Sequence, residues 1–267
     1  MVLRPVVPAS PPPAKGSAPA WPAIERAQRT LAPEYWLVSQ SDHAALAGAL
    51  AASFVSPEFP RVDPLIVRAI EVHDSGWAMF APEAGVEAAP RLDSRGKPLS
   101  FLEIAPPDFL RAWAGSIDRS EAVCPAGGYI VSRHFYALAE GRLAAAVDGA
   151  EDSARLRAFL QHETERQRRL PAQSGRSAAE LADLLLVLQF CDLLSLYLCS
   201  GATDAVEFPQ AFAPGRVSIR RENYAYILQP SPFRSGNESD AMISLGVEAR
   251  RYPATPPRTA TLAFLLW

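Results

Sequence analysis

The chain has 267 residues, of which 49% are hydrophobic and 21% charged, and its net charge is −3. That length suits one large globular domain, or one domain with an appendage, and the charge excludes a bulk attraction to nucleic acid or to an anionic membrane. Three cysteines, Cys124, Cys191 and Cys199, with no CxxC pair, fit free thiols in a reducing compartment, so a cytoplasmic location is expected.

Residues 1–33 are rich in proline and alanine, with Pro5, Pro8, Pro11, Pro12, Pro13 and Pro19 among the first 20, and read as a disordered tail. No apolar run of signal-peptide length follows Arg4. Tyr35 to Val38 is short and rich in strand formers. Ser41 looks like a helix cap, and Leu46, Ala49, Leu50 and Phe54 then recur at helical spacing, with His43 in the first turn. Asp63-Pro64 opens a second helix as cap and N1 proline. Its inward positions Ile66 and Ile70 lead to His73, next to Asp74, and Gly76 suits the stop. Ala78 to Ile104 is an irregular stretch of a length uncommon inside a compact domain. It is read as a surface loop or as a lid, starting at Trp77, that brings Arg95 or Lys97 over an anionic substrate.

Pro107 to Ile117 is expected as a third helix, and Gly127-Gly128 as a break. Tyr129 to Glu140 follows as a fourth helix with Ile130, His134 and Leu138 on one face. A fifth runs to about Leu170, with Phe159, His162 and Arg166 on one side. Ser177 and Glu180 form a capping box that opens a sixth helix, on which Leu181, Leu185, Leu188, Asp192 and Ser195 share a stripe. Its apolar stretch is about as long as a bilayer span, but Asp183, Gln189 and Asp192 favour a core helix, so no membrane is expected. After Gly201, alternation around Val217 and Ile219, Tyr224 to Leu228 and Ile243 to Val247 predicts a small antiparallel sheet of about three strands. The expected fold is therefore mainly α. It has a bundle of about six helices over 34–202 and a small β-containing extension over 203–267 packed on it.

The four histidines, His43, His73, His134 and His162, all fall on expected helices, three of them on apolar faces. Asp74 and Asp192 occupy similar positions, and an ionised aspartate on a core face needs a partner. Imidazole and carboxylate together bind Mn²⁺, Fe²⁺, Co²⁺ or Zn²⁺. Helices projecting such residues inward make a common kind of metal site. His43, His73, Asp74 and Asp192 are expected to hold one ion. His134 and His162 would add a second, with Asp74 as the bridge.

The order His43, His73-Asp74, Asp192 resembles that of the HD-domain superfamily of metal-dependent phosphohydrolases. More narrowly, the chain is similar to a bacterial family known as domain of unknown function 3891. The likeness rests on Gln40-Ser-Asp-His-Ala44, His73-Asp-Ser-Gly-Trp77, Gly96-Lys-Pro98 with Phe101, Val131-Ser-Arg-His-Phe135 and Cys191-Asp-Leu-Leu-Ser-Leu196, and covers roughly 34–255. It implies an HD-like helical fold. It also implies hydrolysis of a phosphate ester by a metal-bound water, with Asp74 catalytic and Arg133 or Arg166 steadying a small anionic substrate. Two alternatives stay open: an HD-type di-iron oxygenase, and a non-catalytic metal- or ligand-binding protein. The oligomeric state is left undetermined.

Overall fold

The computed structural model describes residues 1–6, 18–80, 90–235 and 242–267. Among these residues, seven α-helices and one sheet make up most of the regular structure. The helices are α1 (Ala20–Arg29), α2 (Gln40–Ala52), α3 (Pro64–Glu71), α4 (Pro106–Val123), α5 (Pro125–Ala145), α6 (Ala150–Ser174) and α7 (Ala178–Ser200). The strands are β1 (Val2–Pro5), β2 (Ala18–Pro19), β3 (Tyr35–Val38), β4 (Val206–Phe212), β5 (Gly215–Glu222), β6 (Ala225–Gln229), β7 (Ile243–Tyr252) and β8 (Thr259–Leu266).

All eight strands join one mixed sheet in the order β1-β3-β7-β8-β6-β5-β4-β2. The β2–β4 and β6–β8 pairs are parallel and the others antiparallel. This overturns the expectation of a mainly α, HD-like bundle with a small antiparallel β element: the fold is α/β. Among the described residues, five strands follow Gly201. β3, next to the first site helix, pairs with β7, so 34–202 and 203–267 share one sheet.

The described part of the N-terminal segment belongs to the same structure. β1 pairs with β3, β2 pairs with β4, and α1 packs on α7. Residues 7–17 of the expected tail lie outside the described residues. The anchor of β1 is Gln28 of α1, which is fully buried. Its Nε2 donates to the Leu3 carbonyl and its Oε1 accepts from the Leu3 N–H, both at 2.8 Å. The side-chain amide thus does for Leu3 what a neighbouring strand would do.

Local chemistry sets the helix ends. Ser39 caps α2 by accepting from Asp42 N at 3.0 Å, two residues before the expected cap. Asp63 caps α3, with Pro64 at N1, and Ser177 with Glu180 forms the capping box of α7. Gly127 and Gly128 do not break the chain; they lie inside α5. A Cβ on Gly127 would come within 2.4 Å of the Ala69 Cβ, so the glycine is there to let α5 approach α3.

α7 is the axis of the core. It is long and apolar enough to cross a membrane, yet most of it is buried against α1, α2, α5, β1 and β4. On the sheet side Phe190 meets Phe208 at 5.1 Å and Tyr197 meets Tyr226 at 6.1 Å, both edge-on. On its other side it faces α2 and α5, which carry His43 and His134.

Replacing Gln28 with Leu leaves the buried N–H and C=O of Leu3 without partners. The variant should lose about 2 kcal/mol of unfolding free energy, read from its urea midpoint. An unchanged midpoint would mean that β1 does not depend on α1.

Candidate metal centre

The centre forms where α2, the end of α3, α5 and α7 meet. α3 ends at Glu71, and the chain tightens into three-residue hydrogen bonds: His73 N to the Ile70 carbonyl, Ser75 N to Val72 and Trp77 N to Asp74. A 3-10 turn follows over Ser75–Phe80. His73 and Asp74, adjacent in this turn, both send their side chains into one pocket, where each meets another residue of the cluster. Gly76 seats the turn on α4. It has no left-handed backbone, contrary to its expected role as a helix stop. A Cβ there would stand 1.9 Å from the Ala112 carbonyl oxygen, and its N–H donates to Ser116 Oγ at 2.9 Å.

Five side chains converge. His43 Nε2 lies 2.8 Å from Asp74 Oδ2, and His43 Nδ1 lies 3.0 Å from Ser195 Oγ. His73 Nδ1 donates to the Ile70 carbonyl at 2.8 Å, which turns Nε2 toward Asp192 Oδ1 at 3.2 Å. His73 Nε2 is also 3.9 Å from Asp74 Oδ2. His134 Nε2 lies 3.6 Å from Asp192 Oδ2. Asp74 Oδ1 accepts the indole N–H of Trp77 at 3.1 Å. The His43 and His73 rings meet edge-on at 5.4 Å, and those of His73 and His134 at 6.0 Å.

His43, His73 and Asp192 each offer a ligand atom within 4.8 Å of the others. Two imidazoles and a carboxylate, with Asp74 and His134 at the edge, form a donor set suited to a divalent transition metal. Both histidines have their second nitrogen held by a protein oxygen, the usual arrangement around a metal-bound imidazole.

The electrostatics match. Burial disfavours a charged His73, but its bond to Asp192 and the charges of Asp74 and Asp192 outweigh burial and raise its pKa to about 9. Burial would also raise Asp192, yet the His73 bond and the neighbouring imidazoles bring it down to about 2. His134 has no such bond, and burial lowers its pKa below the ordinary histidine value. The metal-free cluster thus keeps a proton where a cation would sit.

The other sequence candidates lie elsewhere. His162 does not join the centre. The buried stripe of α6 runs through Leu156, Phe159, Glu163 and Leu170, so His162, one residue from Glu163, turns outward with 70% of its side chain exposed. It lines a shallow groove with Asp118, Glu121 and Arg166. Arg166 is engaged there, with Asp118 at 2.8 Å, with Glu163 at 3.1 Å and with Glu121. Arg133 points to Gln167 at 3.2 Å and stacks over Tyr136. Arg95 is exposed and bonded to Asp93, and Lys97 is buried against Glu103 at 3.2 Å. Arg95 and Lys97 are thus paired within their own segment, and residues 81–89 of the expected lid lie outside the described residues. Trp77 does reach the centre, through Asp74. Sequence reasoning placed Ser195 on the core stripe of its helix but gave it no role. Its position three residues after Asp192 was the available signal.

A family model described as Protein of unknown function (DUF3891) matches residues 27–245. The chain belongs to this family. The match includes all five converging side chains, Ser195 and β3 to β6. No curated protein and no solved structure matches the chain.

An ion that takes His73 Nε2 must displace the proton there. His73 is raised from 6.5 to about 9 in the fold. Its contribution to the stability of the metal-free protein is therefore complete below pH 6.5 and disappears as the pH rises through about 9. The metal-free melting temperature should fall over that window. Zn²⁺ binding at pH 7.5 should release about one proton and tighten toward pH 9. Calorimetry in buffers of different ionisation enthalpy measures the release, and a value near zero would show that His73 is not displaced.

Proposed function

We propose that this DUF3891 protein is a divalent-metal-dependent hydrolase of a small anionic ester, with phosphate esters the first class to examine. One observation carries the reading: two buried imidazoles present Nε2 to two buried carboxylates at 2.8 and 3.2 Å, with their other nitrogens already held. His43, His73 and Asp192 are the ligands in this reading. The order of these residues along the chain is similar to that in HD-type phosphohydrolases; the proposal rests on the site and not on the fold. A bound Mn²⁺, Fe²⁺, Co²⁺ or Zn²⁺ would acidify a coordinated water and polarise the substrate oxygen.

The remaining residues have roles that follow from their positions. When His43 gives Nε2 to an ion, Asp74 Oδ2 loses its hydrogen-bond donor and is left to accept a proton from the attacking water. Trp77 holds the other oxygen of Asp74 and so fixes the direction of the free lone pair. His134, neutral at pH 7 by the direction of its shift, is placed to hydrogen-bond a substrate oxygen. Arg133 and Arg166 are bound to other partners, so steadying the substrate's charge falls to the ion and to His134. The di-iron alternative required His162 as a sixth ligand, and its outward position removes that support. The free thiols Cys124, Cys191 and Cys199 suit work in the cytoplasm.

A second reading, a metal centre without turnover, is favoured by burial. His43, His73, His134, Asp74 and Asp192 are each at most 12% exposed in their side chains.

The purified protein should carry a transition metal by elemental analysis, and Asp192→Ala should lose it. The metal-loaded protein should release phosphate from one or more members of a panel of small phosphate esters. Asp74→Asn should keep the metal while turnover falls by roughly 10²- to 10⁴-fold. Metal retention with no turnover on the panel would favour the second reading, and a protein that binds no metal would end both.

A further inference from the structure

We propose that Ser195 is a positioning residue that lets His43 change tautomer between the metal-free and metal-loaded states, and so presents Nε2 to the ion. The inference rests on the metal-binding reading above and assigns a role that reading leaves empty.

The bonding rules decide where the hydrogens go. An ionised carboxylate only accepts. The 2.8 Å approach of His43 Nε2 to Asp74 Oδ2 therefore requires the ring hydrogen on Nε2 in the metal-free protein. Nδ1 is then an acceptor, and the Ser195 hydroxyl, 3.0 Å away, turns its hydrogen toward it. When Nε2 is given to a cation, a neutral ring must carry its hydrogen on Nδ1. That N–H now donates to Ser195 Oγ. The hydroxyl hydrogen swings to the Asp192 carbonyl, which lies 2.8 Å from Oγ. One hydrogen leaves Nε2 and one arrives at Nδ1. The hydroxyl keeps its own, and the charge of the ring is unchanged.

Only a group that is both donor and acceptor serves both states, and a hydroxyl is the smallest such group. The need is acute because His43 and Ser195 are both fully buried, so a buried Nδ1–H has no solvent to turn to. The placement is also economical. Asp192 and Ser195 stand one turn apart on α7, so a single turn supplies one ligand and the orienting group of another. A serine that merely bonds back to its own helix, as serines in helices commonly do, would need no contact with His43.

The test uses the full chain, Zn²⁺ alone as the probe, and ¹⁵N-labelled histidine. The imidazole spectra of the wild type should place the His43 hydrogen on Nε2 without Zn²⁺ and on Nδ1 with it. In competition with a chelating dye, Ser195→Ala should bind Zn²⁺ roughly 10- to 100-fold more weakly, with the fold retained by circular dichroism and the metal-free melting temperature lowered by a few degrees for the unpaired Nδ1. Ser195→Thr, which keeps the hydroxyl, should recover most of that affinity. The wild-type spectra decide the matter even if the added methyl of threonine is not accommodated. The same tautomer in both states, or Zn²⁺ affinity unchanged in Ser195→Ala, overturns the role of Ser195. A wild type that binds no Zn²⁺ at all overturns the metal reading itself, which is a separate result.

Discussion

Asp192 is the constraint around which the rest is arranged. It sits in the middle of the most apolar helix of the chain, on a side that faces other helices and not water. A carboxylate in such a place cannot stay ionised alone. The fold answers with two imidazoles, His73 at 3.2 Å and His134 at 3.6 Å, and the one in closer contact becomes the stronger base. Asp74 repeats the problem on the opposite side and is answered by His43 and the indole of Trp77. Two acids and three imidazoles, drawn from four segments, are thus paired with one another within a small buried volume. A hydrophobic replacement of the whole set would serve stability at least as well. The cluster is therefore better explained by what it can bind than by what it holds together.

The sheet explains how so polar a cluster can be kept dry. α7 turns one side to an eight-stranded sheet, where aromatic side chains meet it edge-on, and the opposite side to the site helices. A bundle alone would leave the sheet side of α7 open. The strands come from both ends of the chain, with β1 at one edge and β7 and β8 near the centre, so closing the core requires the termini to be in place. The buried amide of Gln28 is part of that closure, since it holds a strand of only four residues.

The helices of the site were legible because their signals are local. Asp63-Pro64 and the Ser177–Glu180 box mark helix starts by direct hydrogen bonding, and they do so in the fold. His43, His73, Asp74, His134 and Asp192 stood out as polar residues on apolar faces, and these five converge. His162 is the exception because the buried face of α6 passes from Phe159 to Glu163, a charged residue that hides the true stripe from an apolar pattern. The sheet was hidden for a different reason. β1 and β2 have only four and two residues, with no alternation to mark them, and their pairing is set by partners about 30 to 190 residues away, which no local pattern encodes. Gly127 likewise reads as a breaker in sequence and as a contact in space, because only the neighbouring helix shows why a side chain is missing there.

The turn that bears Asp74 ties these levels together. It begins in three-residue hydrogen bonds before His73, and its path continues only because Gly76 can lie against the Ala112 carbonyl of α4. Ser116 then takes the Gly76 N–H, and Arg119 of the same helix reaches the Ser75 carbonyl. Three successive turns of α4 thus fix the backbone on which Asp74 and Trp77 stand, although α4 contributes no side chain to the centre. The separation is useful physically. The hydrogen positions of His43 and Ser195 can change while their heavy atoms stay where they are. Anchoring the turn through its backbone holds Asp74 in place without drawing on its carboxylate, which stays bonded to His43 and Trp77.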